Sequence, residues 1–178
     1  MDKEVKLRDG RIAKLAYLGG EDSTEELLNM INDLIQEKAC ILYDKKFTLE
    51  EEEKWKQGRL EEFKKQNGYV IIARVDGKIA GSTGCKRGDF KEKGNVCLGV
   101  VVAKPYRGLG LGEALLRLNI EAAHDFFGEE PKNIYLSVFA TNKSAAALYR
   151  KLGFKEFATL PKWLFHKGEY VDHIFMKL

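Results

Sequence analysis

The spacing of hydrophobic and polar positions changes several times along the chain, and each change marks an element. Arg11 to Leu18 is an apolar-rich run that reads as a strand. Asp22-Ser23 then offers a helix N-cap before Leu27, Leu28, Ile31, Leu34 and Ile35, which recur at helical spacing. Thr48 caps a second predicted helix, whose first turns hold Glu50 to Glu53, where negative charge meets the positive end of the helix dipole. That helix is expected to end near Asn67-Gly68. Tyr69 to Val75 and Lys78 to Cys85 flank Asp76-Gly77, a pair suited to a type I′ turn because both central residues need positive φ. A β-rich run follows from Gly94 to Ala103. Leu109 to Phe127 then sets Leu111, Leu115, Leu118, Ala122 and Phe126 on one helical stripe. Ile134 to Phe139 is a strand, Ser144 to Leu152 a short helix stopped by Gly153, and Phe154 to Thr159 and Tyr170 to Met176 the last strands.

No segment repeats and no Gly/Ser- or Pro-rich linker divides the 178 residues, so residues 1–178 are read as one α/β domain. Hydrophobic residues at 44% and charged residues at 32% exclude a disordered or low-complexity chain. The longest nearly apolar run, Val96 to Ala103, is far short of the roughly 20 residues that cross a bilayer. Met1 to Gly10 lacks the apolar centre of a secretory signal, and a cytoplasmic protein without a membrane partner is expected. Cys40, Cys85 and Cys97 share no CxxC spacing and are read as reduced core thiols. The net charge of +3 hides an asymmetry. Residues 1–68 carry 13 basic against 16 acidic groups, and residues 69–178 carry 17 against 11. The basic excess is too dispersed for a nucleic-acid footprint.

The chemistry concentrates where the predicted strand at Val100, Val101 and Val102 runs through Arg107, Gly108, Leu109, Gly110, Leu111 and Gly112 into a helix. Strand, glycine loop and helix N-terminus together make an anion site, because backbone N–H groups approach a ligand without Cβ obstruction. Neither GxGxxG nor GxxxxGK[ST] fits the spacing, which removes the dinucleotide and nucleoside-triphosphate loops and disfavours an oxidoreductase. What fits is Arg-x-x-Gly-x-Gly at Arg107, Gly110 and Gly112. About thirty residues on, Asn142, Ala145, Leu148-Tyr149 and Gly153-Phe154 form a second pattern.

With these two motifs the sequence resembles the GCN5-related N-acetyltransferase (GNAT) superfamily over residues 96–154, while the N-terminal third matches only in outline. The resemblance implies a mixed, mostly antiparallel twisted sheet, splayed at the acetyl-CoA site and flanked by about four helices. It implies an acetyl-CoA-dependent N-acetyltransferase without a metal, acting by direct amine attack in a ternary complex, and it admits a homodimer. In that frame Val100, Val101 and Val102 pair with the pantetheine amides through their backbone, or serve only the core. Arg107 to Gly112 cradle the pyrophosphate, chiefly through main-chain N–H groups. Asn142 contacts the pantetheine arm or caps its helix. Tyr149 is the general acid for the leaving thiolate, or a core tyrosine. A backbone N–H near Val100 holds the oxyanion.

Members of the family often carry a glutamate on the strand before the loop, yet Asn95 to Ala103 holds no acid. Asp89, Glu92 and Asp172 are the remaining candidates for a base, each read first as a solvated charge. The missing acid keeps open a second possibility, a non-catalytic acyl-CoA-binding regulatory module. His124, His166 and His173 lack metal-ligand spacing and are read as ordinary surface or half-buried histidines. The acceptor that the resemblance implies is a primary amine, of a protein or of a polyamine-like small molecule. The carboxylates at Glu21, Asp22, Glu25, Glu26 and Glu50 to Glu53 would favour a cationic one.

Overall fold

Eight strands hydrogen-bond into one sheet, in the order β1-β2-β3-β4-β5-β6-β8-β7 along it. The computed structural model describes residues 2–128 and 131–178; Met1, Glu129 and Glu130 lie outside these. The chain runs β1 (Asp2–Lys6), β2 (Ile12–Tyr17), α1 (Thr24–Gln36), α2 (Leu49–Lys64), β3 (Gly68–Val75), β4 (Lys78–Arg87), β5 (Asn95–Val102), α3 (Leu111–Phe126), β6 (Asn133–Phe139), α4 (Lys143–Lys151), β7 (Lys155–His166) and β8 (Glu169–Lys177). Every neighbouring pair is antiparallel except β5 and β6, which run parallel. The architecture is the mixed α/β sheet with four flanking helices that the sequence led us to expect.

Local chemistry explains most boundaries. Ser23 and Thr48 cap α1 and α2, Thr48 in a capping box with Glu51. Asp76 and Gly77 turn the β3–β4 hairpin with φ of 51° and 78°. Three boundaries differ from expectation. β1 is an added edge strand whose sequence, DKEVK, is too charged to read as one. α2 stops at Lys64 because Gln66 takes a φ of 55° and turns the chain before Asn67. β7 continues past Thr159 to His166 through Pro161 and an irregularity between Leu160 and Leu164, which an edge strand tolerates because its outer N–H groups need no partner.

Each face of the sheet carries its own core. On one, α3 and α4 press Leu111, Leu115, Ala146 and Tyr149 against Val96, Leu98, Ile134, Leu136 and Met176. On the other, α1 and α2 cover β2 to β5 through Leu18, Leu27, Met30, Val70 and Ile72, with Val101 packed at the margin. Of the cysteines, Cys85 is buried in the first core, and burial pushes its thiol up to about 12. Cys97 is half-buried, and Cys40 is not a core residue: it lies half-exposed between α1 and α2, its Sγ 3.7 Å from His166 Nε2. Leu115 is fully enclosed. Leu115→Ala should therefore cost about 2–5 kcal/mol of stability, seen as a lower midpoint in urea; an unchanged midpoint would contradict this packing.

Candidate active site

β5 belongs to β4 along its whole length but to β6 only briefly. The parallel ladder pairs Asn95, Val96 and Cys97 with Asn133, Ile134 and Tyr135, and then stops. Bond direction alternates along a strand. The bonds Gly88 N–H to Asn95 O and Ala103 N–H to Ala80 O show odd-numbered residues of β5 facing β4, and Lys132 and Asn133 donating to Gly94 O show even-numbered ones facing β6. Val101 is thus bonded toward β4, while the Val100 N–H and C=O and the Val102 N–H face the gap with no backbone partner among the described residues. The Val102 carbonyl takes the Arg107 Nε–H at 2.9 Å. Side chains separate the same way, Val100 and Val102 toward the α3 core and Val101 toward the α1–α2 core.

The glycine loop closes one end of this gap. Gly108 and Gly110 hold φ of 76° and 91°, where a Cβ is strained, and Gly110 is the N-cap of α3. The start of α3 lies close against β5 and α4, where a Cβ at Gly112 would make ordinary contact with Val102 at 3.5 Å and Leu148 at 3.7 Å. Leu111 anchors the loop at 1% exposure, and half-buried Leu109 packs beside it. The loop carbonyls turn inward to a residue that sequence reasoning missed. Arg8 donates its backbone N–H to Leu109 O at 3.1 Å and its Nη1 to Gly108 O at 3.2 Å. Backbone N–H groups from Gly108 to Glu113 are left without a backbone partner among the described residues, and the first intrahelical bond is Ala114 N–H to Gly110 O. Such a run of free donors at a helix N-terminus is a nest for an anion.

Arg107 contributes geometry rather than a free charge. Its Nε holds the end of β5, its Nη2 pairs with Glu37 at the end of α1, and its N–H bonds Lys104 O. Glu113, the one carboxylate in the first turn of α3, is neutralised by Lys151 at 2.6 Å and Arg117 at 3.0 Å, which hold it below the usual carboxylate range.

Tyr149 sits on the α4 side at 6% exposure against Phe154, and burial pushes its phenol up to about 12. Its hydroxyl makes no hydrogen bond among the described residues and is not among the fully enclosed polar atoms. Asn142 caps α4, accepting from Ala145 N–H at 3.2 Å and Ser144 Oγ at 3.1 Å, so its amide nitrogen stays available. The three acids considered as bases separate. Asp89 and Glu92 lie before β5, at the end away from the loop. Asp172 accepts the Lys162 N–H at 2.8 Å and shapes the β7 irregularity. The acidic N-terminal groups are largely spent as well, with Asp22 and Glu26 on Arg74, Glu50 on Lys54 and Glu53 on Thr24. Among the described residues no group of three or more His, Cys, Asp and Glu could hold a metal ion, and no helix is long and apolar enough to cross a membrane.

Comparison with known proteins decides the family. Residues 30–154 match the model of the acetyltransferase (GNAT) family. The chain belongs to that family. An N-alpha-acetyltransferase of Sulfurisphaera tokodaii is 32% identical to this GNAT chain over 111 residues, covering 57% of the chain and 65% of that protein. N-alpha-acetyltransferase MAK3 of Arabidopsis thaliana is 28% identical over 156 residues, covering 86% and 72%. Among solved structures, ribosomal-protein-alanine N-acetyltransferase from Brucella melitensis superposes with a TM-score of 0.79 at 26% identity, covering 92% of this chain and 98% of that one. An acetyltransferase of Salmonella typhimurium solved with acetyl-CoA shares the fold, with a TM-score of 0.78 at 20% identity. Both motifs fall inside the matched GNAT segment. Gly110→Val places a β-branched side chain at a φ of 91°. It should weaken CoA binding at least 10-fold in calorimetry; undiminished affinity would remove the loop from the site.

Proposed function

We propose that this chain is an acetyl-CoA-dependent N-acetyltransferase that moves an acetyl group to a primary amine by direct attack in a ternary complex. One observation carries the proposal: the unpaired edge of β5 runs directly into the N–H nest at the start of α3. The edge offers Val100 and Val102 backbone groups to the amides of a pantetheine arm, as an added strand would. The nest offers Gly108 to Glu113 N–H groups to a pyrophosphate. Bound acetyl-CoA supplies the acyl group as a thioester. Tyr149 donates its proton to the departing sulfur, and the Val100 N–H stabilises the oxyanion of the tetrahedral intermediate. Asn142 holds the α4 N-terminus and turns its amide nitrogen to the pantetheine arm.

The acceptor we favour is the amine of a protein or peptide, in keeping with relatives named N-alpha-acetyltransferases. A polyamine-like amine draws less support, because most of the acids that would attract it already hold internal partners. We place the enzyme in the cytoplasm as one domain. We also infer a homodimer through the β7–β8 edge, where Trp163, Phe165 and Tyr170 are exposed. A CoA-binding module without turnover is the second reading, favoured by the absence of a carboxylate on β5.

Thiol release from acetyl-CoA in the presence of peptides with free α-amines separates the two. Turnover is expected for the wild type, with kcat about 10- to 1000-fold lower in Tyr149→Phe and CoA affinity little changed. No turnover with any amine would favour the binding module, and an unchanged kcat in the variant would remove Tyr149 from the chemistry. The buried phenol is protonated until about pH 12, so the rate should not fall between pH 7 and 10. A fall there in wild type that is absent from Tyr149→Phe would contradict this assignment.

A further inference from the structure

We place the amine on the face of the sheet opposite α3 and α4, away from Tyr149, and on that face the structure holds an unassigned titratable group. The side chains of Ile134, Leu136 and Val138 point to the α3–α4 core, so Tyr135, Ser137 and Phe139 of β6 face the other way. β8 divides alike: Ile174 and Met176 join the α3–α4 core, and Val171, His173 and Phe175 face outward with the β6 group. His173 is only 6% exposed, its ring 4.6 Å from that of Phe175 and 6.3 Å from that of Phe139. Its Nδ1 is fully enclosed and has no hydrogen-bond partner. A buried ring nitrogen without a partner is rare in native proteins and marks a place where a water or a ligand is to be bound.

Its position in the fold ties it to the gap. Cys97 pairs with Tyr135 in the parallel ladder, so four residues further the same row holds Val101 on β5 and Phe139 on β6. Phe139 in turn pairs with His173. His173 therefore lies one strand beyond the opening, on the far side of Phe139 in the row that runs from Val101, level with the residues whose backbone faces that opening. Beside that row the surface is low: Ser137 is small, and a Cβ at Gly99 would meet nothing within 4 Å. Tyr149 stands on the opposite face of the same sheet.

We propose that His173 is the proton acceptor for the attacking amine. The inference rests on the N-acetyltransferase reading above and supplies the base that β5 lacks. The imidazole takes one proton from R–NH3+ and passes it to solvent. The freed lone pair forms the C–N bond to the thioester carbon, and the C–S bond breaks as Tyr149 protonates the thiolate. The second proton lost from nitrogen restores the Tyr149 phenol, so one amide, one free thiol and one proton result.

The surroundings favour a neutral ring. The titratable groups on this face are Cys97 and Tyr135, with Glu92 acting on Tyr135; His166 from β7, with Lys38, Lys167 and Glu169 acting on it; and Cys40 from the segment between α1 and α2. Asp172 points away to the Lys162 N–H. None of these charges shifts His173, whose pKa is held below its ordinary value by burial, leaving the ring neutral and able to accept a proton at neutral pH.

The test uses the full chain, acetyl-CoA and a peptide with a free α-amine that the wild type acetylates. In His173→Gln, and in His173→Phe, which keeps the aromatic packing, kcat/KM at pH 7 should fall about 100-fold while CoA affinity and thermal midpoint hold. The wild-type profile should lose activity only as pH falls below about 6.5, and in the variants the rise should shift to the pKa of the peptide amine itself. A kcat/KM within threefold of wild type, or an acidic limb that stays in place in both variants, would overturn the proposal. So would equal loss of CoA binding, which would mark His173 as a packing residue. A wild type inert toward every amine would instead overturn the enzyme reading.

Discussion

A strand that leaves its sheet must account for its hydrogen bonds, and this requirement governs the site. β5 has a partner on the β6 side only as far as Cys97, and its edge beyond that point faces open space. Unpaired backbone groups are costly unless water or a ligand satisfies them. The divergence is held from both sides. β6 is tied to β8 over five residue pairs, and β5 is tied to β4 along its whole length. Arg107 caps the free end by bonding the Val102 carbonyl, leaving Val100 and the Val102 N–H as the groups available to a guest.

The glycine loop works because its carbonyls have somewhere else to go. Arg8, in the turn after β1, takes the Leu109 and Gly108 oxygens, which leaves the N–H groups facing outward. Lys151 and Arg117 cancel the one carboxylate that would repel an anion at the helix start. Chemistry then divides across the sheet. A phenol kept protonated by burial stands on the α4 side, and an imidazole kept neutral by burial stands on the other. In the proposed mechanism a donor for the thiolate and an acceptor for the ammonium serve one opening from opposite faces, and neither requires a carboxylate on β5.

Much of this was legible in the residues themselves. Asp76-Gly77 marked the hairpin, the leucine stripe marked α3, and the spacing of Arg107, Gly110 and Gly112 marked the loop, because each is a local pattern with a local cause. What escaped depended on long-range pairing. β1 is held mainly by its pairing with β2 and carries too many charges to read as a strand. Arg8 meets Gly108 a hundred residues away, and no spacing rule links them. Pro161 gave a sound reason to end β7 early, and only its place at the edge of the sheet explains why the strand continues. His173 looked ordinary because its significance lies in the row it shares with Phe139 and Val101. The acidic N-terminal third looked like an attractant for cations until its partners, Arg74 and Lys54 among them, were in view.

The central claim, that the unpaired edge of β5 and the loop after it receive CoA, can be tested amide by amide. Hydrogen exchange followed by NMR, with and without CoA, reads each N–H separately. Slowed exchange is predicted at Val100, Val102, Gly112 and Glu113, with Val101 unchanged because its N–H is already bonded to β4. Protection spread evenly over Val100 to Val102, or none at Gly112 and Glu113, would contradict the account.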